Sequence, residues 1–533
     1  MCGIWACIRG NYSKEQHADL LAAGVHHIEA RGPEGTRFLD LSGGHTWAFA
    51  RLAINGLGDE GMQPFNWSEG RWAWMCNGEI YNHADLEARI PYAAASDSDC
   101  EVLGALMESC SNDPIAFARA LDGVFALVHY SRDTGITTVA RDPYGVRPLF
   151  WGTQGPAIYF ASERKALQPF VSATYVFPPG EVWTINGDTI LRNVYHTVPW
   201  IKQPVGSDPA ELVRTTLDAA ITKRLMTERP VAALLSGGLD SSLIAALVQK
   251  KLVALGKPAL KTFSIGMEGS SDLKYARMVA DHIQSDHTEV LVTAGQMFDA
   301  IPQVIRTIES YDITTVRASV GNWLVGKAIR EQTECKVVFN GDGSDEVWGS
   351  YLYFYKAPTD DAFEMEVERL LKEIYLYDVL RSDRCISSHG LEPRTPYLDK
   401  QFVAAALSVP TSLRRPGPKQ CEKWLMRKAF DDGLLPSEVL WRRKEAFSDG
   451  VSSTEKAWFQ VIQDMIVERG LVPEGWEEES KEWKPRPLTP EGYLYRRIFN
   501  DAYHKTGELW PYWMPRWSPE TTDPSARTLA LPE

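Results

Sequence analysis

At 533 residues the chain has room for two to four domains, each with a core of its own. Its 56 Lys and Arg against 70 Asp and Glu leave a net charge of −14, and no basic stripe with interleaved aromatics is present, so a nucleic-acid partner is not expected. No stretch approaches the ~18 apolar residues of a membrane span, and the eight cysteines include no CxxC pair, as expected of reduced thiols in a cytoplasmic protein.

In chain order, Cys2–Ile8 is apolar, short and without a leading positive cluster, and reads as a strand rather than a signal peptide. Residues 1 to about 195 then read as short strands: Trp47–Ala50, Trp72–Met75, Val124–His129, Thr137–Ala140 and Tyr159–Ala161. Helical patterns over Lys14–Ala30 and Cys100–Cys110 interrupt them. Between His196 and Pro209, four Pro and Gly residues mark a linker. Helix and strand then alternate: Pro209–Met226, Val231–Leu235, Ser241–Leu255, Leu260–Ile265, Asp272–Ile283, Thr288–Val292, Arg317–Gln332 and Val337–Asn340. Such βα alternation predicts a doubly wound parallel sheet. From about 360 onward the chain reads as mainly helical, and the last Trp- and Pro-rich stretch has no clear period.

The first chemical signal is Ser236-Gly237-Gly238-Leu239-Asp240-Ser241-Ser242, between the continuously apolar Val231–Leu235 and an apolar helix. Paired glycines let successive N–H groups converge on one anion beside the positive end of a helix. The serines add donors, and Asp240 adds a carboxylate where a Mg²⁺ escorting a polyphosphate would sit. With no Lys after its last glycine, this is not a Walker loop. It resembles the pyrophosphate loop of enzymes that cleave ATP between its α and β phosphates.

A second constellation surrounds Cys2. Removal of Met1 leaves an α-amine of pKa near 8 next to the thiol, placed to act as its base. Arg51-Leu52-Ala53-Ile54-Asn55 offers a guanidinium for a carboxylate, Asn77 and Gly78 offer oxyanion donors, and Glu79 and Asp99 offer acids for an α-ammonium. Together with Arg141–Leu149 and Ala161–Leu167, these residues resemble the N-terminal-nucleophile glutamine amidotransferases. The resemblance implies that Cys2 releases ammonia from L-glutamine through a glutamyl thioester, with Arg51, Leu52, Ala53, Ile54, Asn55, Asn77, Gly78, Glu79 and Asp99 holding the substrate. Ala30-Arg31-Gly32-Pro33-Glu34 departs from the family, which has His before Arg and Asp after Pro, but retains Arg31.

The later chain resembles the glutamine-hydrolysing asparagine synthetases through Phe263–Gly266, Ser271–Leu273, Glu309–Ser319, Gly341–Phe354, Glu392–Lys400, Arg443–Gly450 and Trp513–Trp517. The Arg317 and Gly341–Glu346 segments narrow the acceptor to L-aspartate. The resemblance implies an αββα sandwich of α+β class over 1–197, a linker over 198–210, and an α/β ATP-pyrophosphatase domain with a helical C-terminal part over 211–533. It further implies ATP and Mg²⁺, with Leu235, Ser236, Gly237, Gly238, Asp240, Ser241, Ser242, Ile265, Asn340, Gly341 and Lys444 on the nucleotide and Asp240 and Asp345 on the metal. It suggests a homodimer, and ammonia shielded from water calls for an apolar conduit between the domains. The main departure is Asp342, where the family has Glu. A carboxylate drawn back by ~1.5 Å bears directly on proton transfer from the ammonia that attacks the adenylate. Two other readings stay open: a related adenylating amidotransferase acting on another carboxylate, and a silent sensor paralogue. Residues from roughly 455 to 485 resemble nothing in the family.

Overall fold

The computed structural model describes residues 1–10, 22–67, 71–198, 208–418, 420–445, 450–452 and 456–529. The first part of the expected helix over Lys14–Ala30 (residues 14–21), the linker core 199–207 and the stretch 446–449 therefore lie outside the described residues, while 22–25 form a helical turn.

Alternating side chains build the first domain. Gly3–Ile8 lies inside a six-stranded antiparallel sheet ordered Thr174–Val176, Phe150–Gln154, Ala157–Ala161, Gly3–Ile8, His45–Arg51, Gly35–Leu41. A second sheet runs Thr189–Val194, Glu181–Asn186, Ile136–Arg141, Gly123–Ser131, Trp72–Ile80, Phe65–Trp67. Because successive residues point to opposite faces, Ile4, Ala6 and Ile8 pack inward with Trp47, Phe49, Met75 and Val128 between the sheets. Trp5 and Cys7 point outward onto Val25, Ile28, Leu167 and Phe170. The outer face of the second sheet, with Trp72, Trp74 and Cys76, is covered by residues of the helices Val102–Ser109 and Pro114–Ala120. The layers are αββα, as expected.

The second domain carries a five-stranded parallel sheet ordered Asp286–Leu291, Lys261–Gly266, Val231–Leu234, Val337–Phe339, Glu392–Arg394. Helices Pro209–Lys223 and Leu239–Ala254 cover one face, and Ile313–Gln332 and Asp378–Ser387 the other. Asp208 caps Pro209–Lys223 by accepting the Ala210 N–H, and proline occupies the first turn, where no donor is needed. Two elements differ from the sequence reading. The chain beyond 360 is mainly helical, as expected, but the buried Glu392–Arg394 returns as an edge strand whose Pro393 is tolerated there. Ala294–Ile308 is an additional helix that carries Pro302 within it. The unplaced region 455–485 includes the helix Trp458–Glu468, whose Trp458, Ile462 and Ile466 pack on that additional helix.

The domains share one interior. Leu52, Ile54, Val124, Tyr144 and Val146 of the first join Leu217, Ile221 and Leu243 of the second in a single apolar cluster. Nearer Cys2 the joint is ionic and dry. Arg31, fully buried, donates to both carboxylate oxygens of Asp383 (2.8 and 3.2 Å) and to Ser387 Oγ (2.9 Å). Its Nε donates to the Cys2 carbonyl at 3.0 Å. Arg384 donates to the Ser162 carbonyl (3.0 Å) and pairs with Glu163 (3.3 Å) and Glu309 (2.5 Å). The Glu309 carboxylate accepts the backbone N–H groups of Arg164 and Lys165 at 2.9 and 2.8 Å. Burial alone would raise the Glu163 carboxyl, but Arg384, Lys165 and Arg31 hold it down to about 2 from the ordinary 4.5.

Asp383→Ala leaves Arg31 buried without its bidentate partner and is expected to cost about 3–5 kcal/mol, read as a lowered urea midpoint at neutral pH. Glu163 is depressed in the folded state, so its contribution to stability is full above pH 4.5 and is lost as pH falls towards about 2. Urea titrations of parent and Glu163→Gln are therefore expected to differ most at neutral pH and to converge over that acid window.

Candidate active sites

Strand pairing assembles the first site. Gly3 pairs with Ala50, bringing Cys2 beside Arg51 and Leu52, and the Cys2 thiol donates to the Leu52 carbonyl at 3.6 Å. On the facing sheet, Asn77-Gly78-Glu79 pairs with Ala126-Phe125-Val124. Asn77 Nδ2 donates to Ser162 Oγ at 3.4 Å, and the same hydroxyl accepts the Ile4 N–H at 3.0 Å, tying the amide to the nucleophile's strand. Asn77 Oδ1 is buried with no partner. Gly78 is required by its surroundings, since a Cβ would sit 2.1 Å from the Val124 carbonyl oxygen.

The acids and Asn55 meet as well. Glu79 Oε2 accepts from Asn55 Nδ2 at 2.8 Å and lies 3.5 Å from Arg394 of the second domain. Asp99 Oδ2 accepts the Ile80 N–H at 2.7 Å. Burial, reinforced by Asp99 and Glu392, raises the Glu79 carboxyl, and burial raises Asp99. Arg51 folds back to donate to the carbonyls of Gly58 (2.7 Å) and Gly56. Ala53 donates its N–H to Glu34 (2.8 Å), and the Ile54 carbonyl accepts from Glu228. With Met1 in place, burial pushes the terminal amine down to about 6 and the Cys2 thiol up to about 11.

The second site is a cavity of about 240 Å³ at the carboxyl ends of the parallel strands. Leu235, Ser236, Gly238, Asp240, Ser241, Ile265, Asn340, Gly341, Asp342, Asp345 and Lys444 all line it. The serine loop is self-bonded: Ser236 donates its N–H to Ser241 Oγ (3.1 Å), and the two hydroxyls lie 2.9 Å apart. Gly341 packs against this loop so closely that a Cβ would lie 2.8 Å from the Ser241 nitrogen. Two of the expected nucleotide contacts are not at the cavity. Gly237 turns with φ +72° against Ala276, and Ser242, about 100° further round the helix than Ser241, is fully buried with its hydroxyl unpartnered.

Lys423 was invisible in the sequence and organises the acids. This buried residue, in left-handed backbone conformation (φ +56°), donates to Asp240 Oδ2 and Asp345 Oδ1, both at 2.6 Å. Lys444 binds both oxygens of Asp345 at 2.7 and 2.6 Å. Burial raises the Asp345 carboxyl, but the two lysines outweigh it and hold it far below the carboxylate range. Among the described residues no group of three or more His, Cys, Asp or Glu forms a metal cluster.

Arg317 does not reach the cavity. It pairs with Glu491 (2.8 and 2.5 Å) and Asp523 (2.8 and 2.7 Å), while Thr314, Ala318 and Asn322 present the other face of the same helix to the cavity. The cation near Asp342 is instead Arg381, whose Nη2 donates to Oδ1 at 3.0 Å; Arg381 also pairs with Asp378 at 3.1 Å. Asp342 Oδ2 is buried without a partner, and burial raises this carboxyl against the pull of Arg381. One helix, Asp378–Ser387, thus touches both sites: Arg381 and Ser382 meet Asp342 and Asn340, while Asp383 holds the arginine on Cys2.

Residues 1–177 match the family model described as a glutamine amidotransferase domain, and residues 212–367 and 357–523 match the one described as asparagine synthase. Asparagine synthetase (glutamine-hydrolyzing) of Gallus gallus is 40% identical over 99% of this chain and 98% of its own. The Mus musculus protein of that name is 41% identical and the Homo sapiens protein 39%, each over the same shares.

Gly341→Ala is expected to push its Cβ into the Ser236–Ser242 loop and weaken ATP binding at least tenfold by calorimetry, with glutamine hydrolysis unchanged. Equal loss of both would place the clash elsewhere.

Proposed function

The chain belongs to the asparagine synthetase family, and from that premise we propose a division of labour between its two domains. The first releases ammonia from L-glutamine at Cys2. The second converts L-aspartate and ATP into L-asparagine, AMP and diphosphate through a β-aspartyl adenylate. The observation that carries this reading is the helix Asp378–Ser387, which contacts Asp342 at one site and, through Arg31, the Cys2 carbonyl at the other.

Excision of Met1 moves the terminal amine onto Cys2 itself, beside the thiol whose proton it takes. Cys2 Sγ then attacks the glutamine amide carbon, with the Asn77 amide and Gly78 N–H facing the developing oxyanion. Arg51 takes the substrate carboxylate, and Glu79 and Asp99 take its ammonium. Expulsion of ammonia leaves a thioester that water cleaves to glutamate. Ammonia then crosses the buried joint between the domains, shielded from protonation by bulk water.

At the second site, ATP lies along Leu235, Ile265, Asn340 and Gly341, with its phosphates on the Ser236–Ser241 loop. Asp240 and Asp345 fit a Mg²⁺ carried by ATP, since both converge on a single cationic position now filled by the Lys423 ammonium. Bound there, the ion would neutralise negative charge on the diphosphate. Lys444 and Lys423 share that duty from the protein side. The aspartate carboxylate attacks the α-phosphorus, diphosphate leaves, and ammonia attacks the resulting acyl carbon. Asp342 takes the proton from the attacking ammonia through its unpartnered Oδ2.

Two variants separate the steps. Cys2→Ala is expected to abolish asparagine formation from glutamine and to retain formation from ammonium salts. Asp342→Asn is expected to lower asparagine formation from either nitrogen source at least a hundredfold, with glutamine hydrolysis retained. Product quantification by mass spectrometry checks both, and asparagine formation by Asp342→Asn at the parent rate would remove that residue from the mechanism.

A further inference from the structure

A second cleft, of about 570 Å³, lies between the domains and away from both sites. The first domain contributes His27 and Lys165, and the second contributes Arg306, His504 and Lys505. Among the described residues no Asp or Glu lines it, in a chain whose net charge is −14. The nucleotide cavity differs, since Asp240, Asp345 and other acids balance its cations. Arg306 and Lys505 take part in no ion pair among the described residues. Arg306 is exposed at the end of the helix Ala294–Ile308 with no ion pair among the described residues, and His504 is exposed. Lys505 Nζ donates only to the Gln168 carbonyl, at 2.7 Å. Lys165 pairs with Glu163 at 2.5 Å. Burial, followed by the charge of Lys165, lowers the pKa of His27, with Glu309 and Glu163 opposing the shift.

From this lining we propose that the interdomain cleft binds a small multivalent anion, a phosphate ester or a polycarboxylate. Arg306 and Lys505 carry charge with no carboxylate partner among the described residues, and a ligand with two or more negative charges would pair with both. The cleft's size suits a metabolite rather than a single inorganic ion. Its two walls belong to different domains, so the ligand bridges them. It also shares Lys165 with Glu163, which contacts Arg31 at 3.5 Å, and Arg31 holds the Cys2 carbonyl. Occupancy therefore bears on the ionic joint that positions the nucleophile.

Calorimetric titration of the full chain at low ionic strength, with glycerol 2-phosphate and separately with tricarballylate, tests this. At least one probe is expected to saturate, and the one that does names the ligand class. Arg306→Glu, alone and with His504→Glu, is expected to weaken that binding tenfold or more. Both positions are exposed and outside the two active sites, so asparagine formation without the probe is expected to stay at the parent level. Anion binding at the nucleotide cavity affects parent and variants alike. Equal affinity in parent and variants, or saturation by neither probe, would overturn the proposal.

Discussion

The arrangement of this molecule depends on a pairing of buried charges across the domain joint, centred on Arg31 and Asp383. A guanidinium and a carboxylate removed from water are tolerated only in close, geometrically matched contact. Here the match is bidentate, and the spare Nε of the arginine is committed to the Cys2 carbonyl. Arg384, one residue on, repeats the pattern with Glu163 and Glu309. Apolar surfaces alone would let the domains slide by a residue at modest cost. A set of dry ion pairs has one good register, so it fixes how the nucleophile faces the second domain. The region nearest Cys2 is consequently charged, and the apolar share of the joint falls to Leu52, Ile54, Val124, Tyr144 and Val146.

Charge compensation also shapes the nucleotide cavity. Asp240 and Asp345 point at a common position, and without a counter-charge they would repel each other and disfavour the loops that carry them. Lys423 and Lys444 supply that charge. Lys423 does so from a left-handed backbone conformation that costs a non-glycine residue about 1 kcal/mol or more, a sign of a position held for its side chain. A cation arriving with ATP would take over the carboxylates and free the lysines for phosphate oxygens.

Much of this was legible in the sequence because the features concerned are local. The continuous apolar run before Ser236-Gly237-Gly238 belongs to a strand buried on both faces, and the glycines permit the tight turn that follows. Cys2, Asn77 and Gly78 announce their chemistry by residue type. What escaped depends on tertiary context. Glu392-Pro393-Arg394 has no apolar signal because its strand is stabilised by ion pairs with Arg147 and within itself. The helix Ala294–Ile308 carries a proline that argues for a break. Lys423 and Arg381 look like ordinary surface cations until the fold buries them, and Arg317 has a functional-looking neighbourhood but turns its side chain to Glu491 and Asp523. Ser242 reads as one more loop hydroxyl, but the first turn of the helix carries it away from the cavity and buries it.

Coupling of the two sites requires that nitrogen released at Cys2 pass across the buried joint to the carbonyl activated beside Asp342. The most direct test is isotopic: turnover with amide-¹⁵N glutamine, aspartate and ATP in excess unlabelled ammonium at a pH where the salt is mostly protonated, with the asparagine amide read by mass spectrometry. Asparagine formed in the glutamine-dependent reaction is expected to retain the ¹⁵N label. Dilution of the label to the isotopic composition of the bulk ammonium would contradict it.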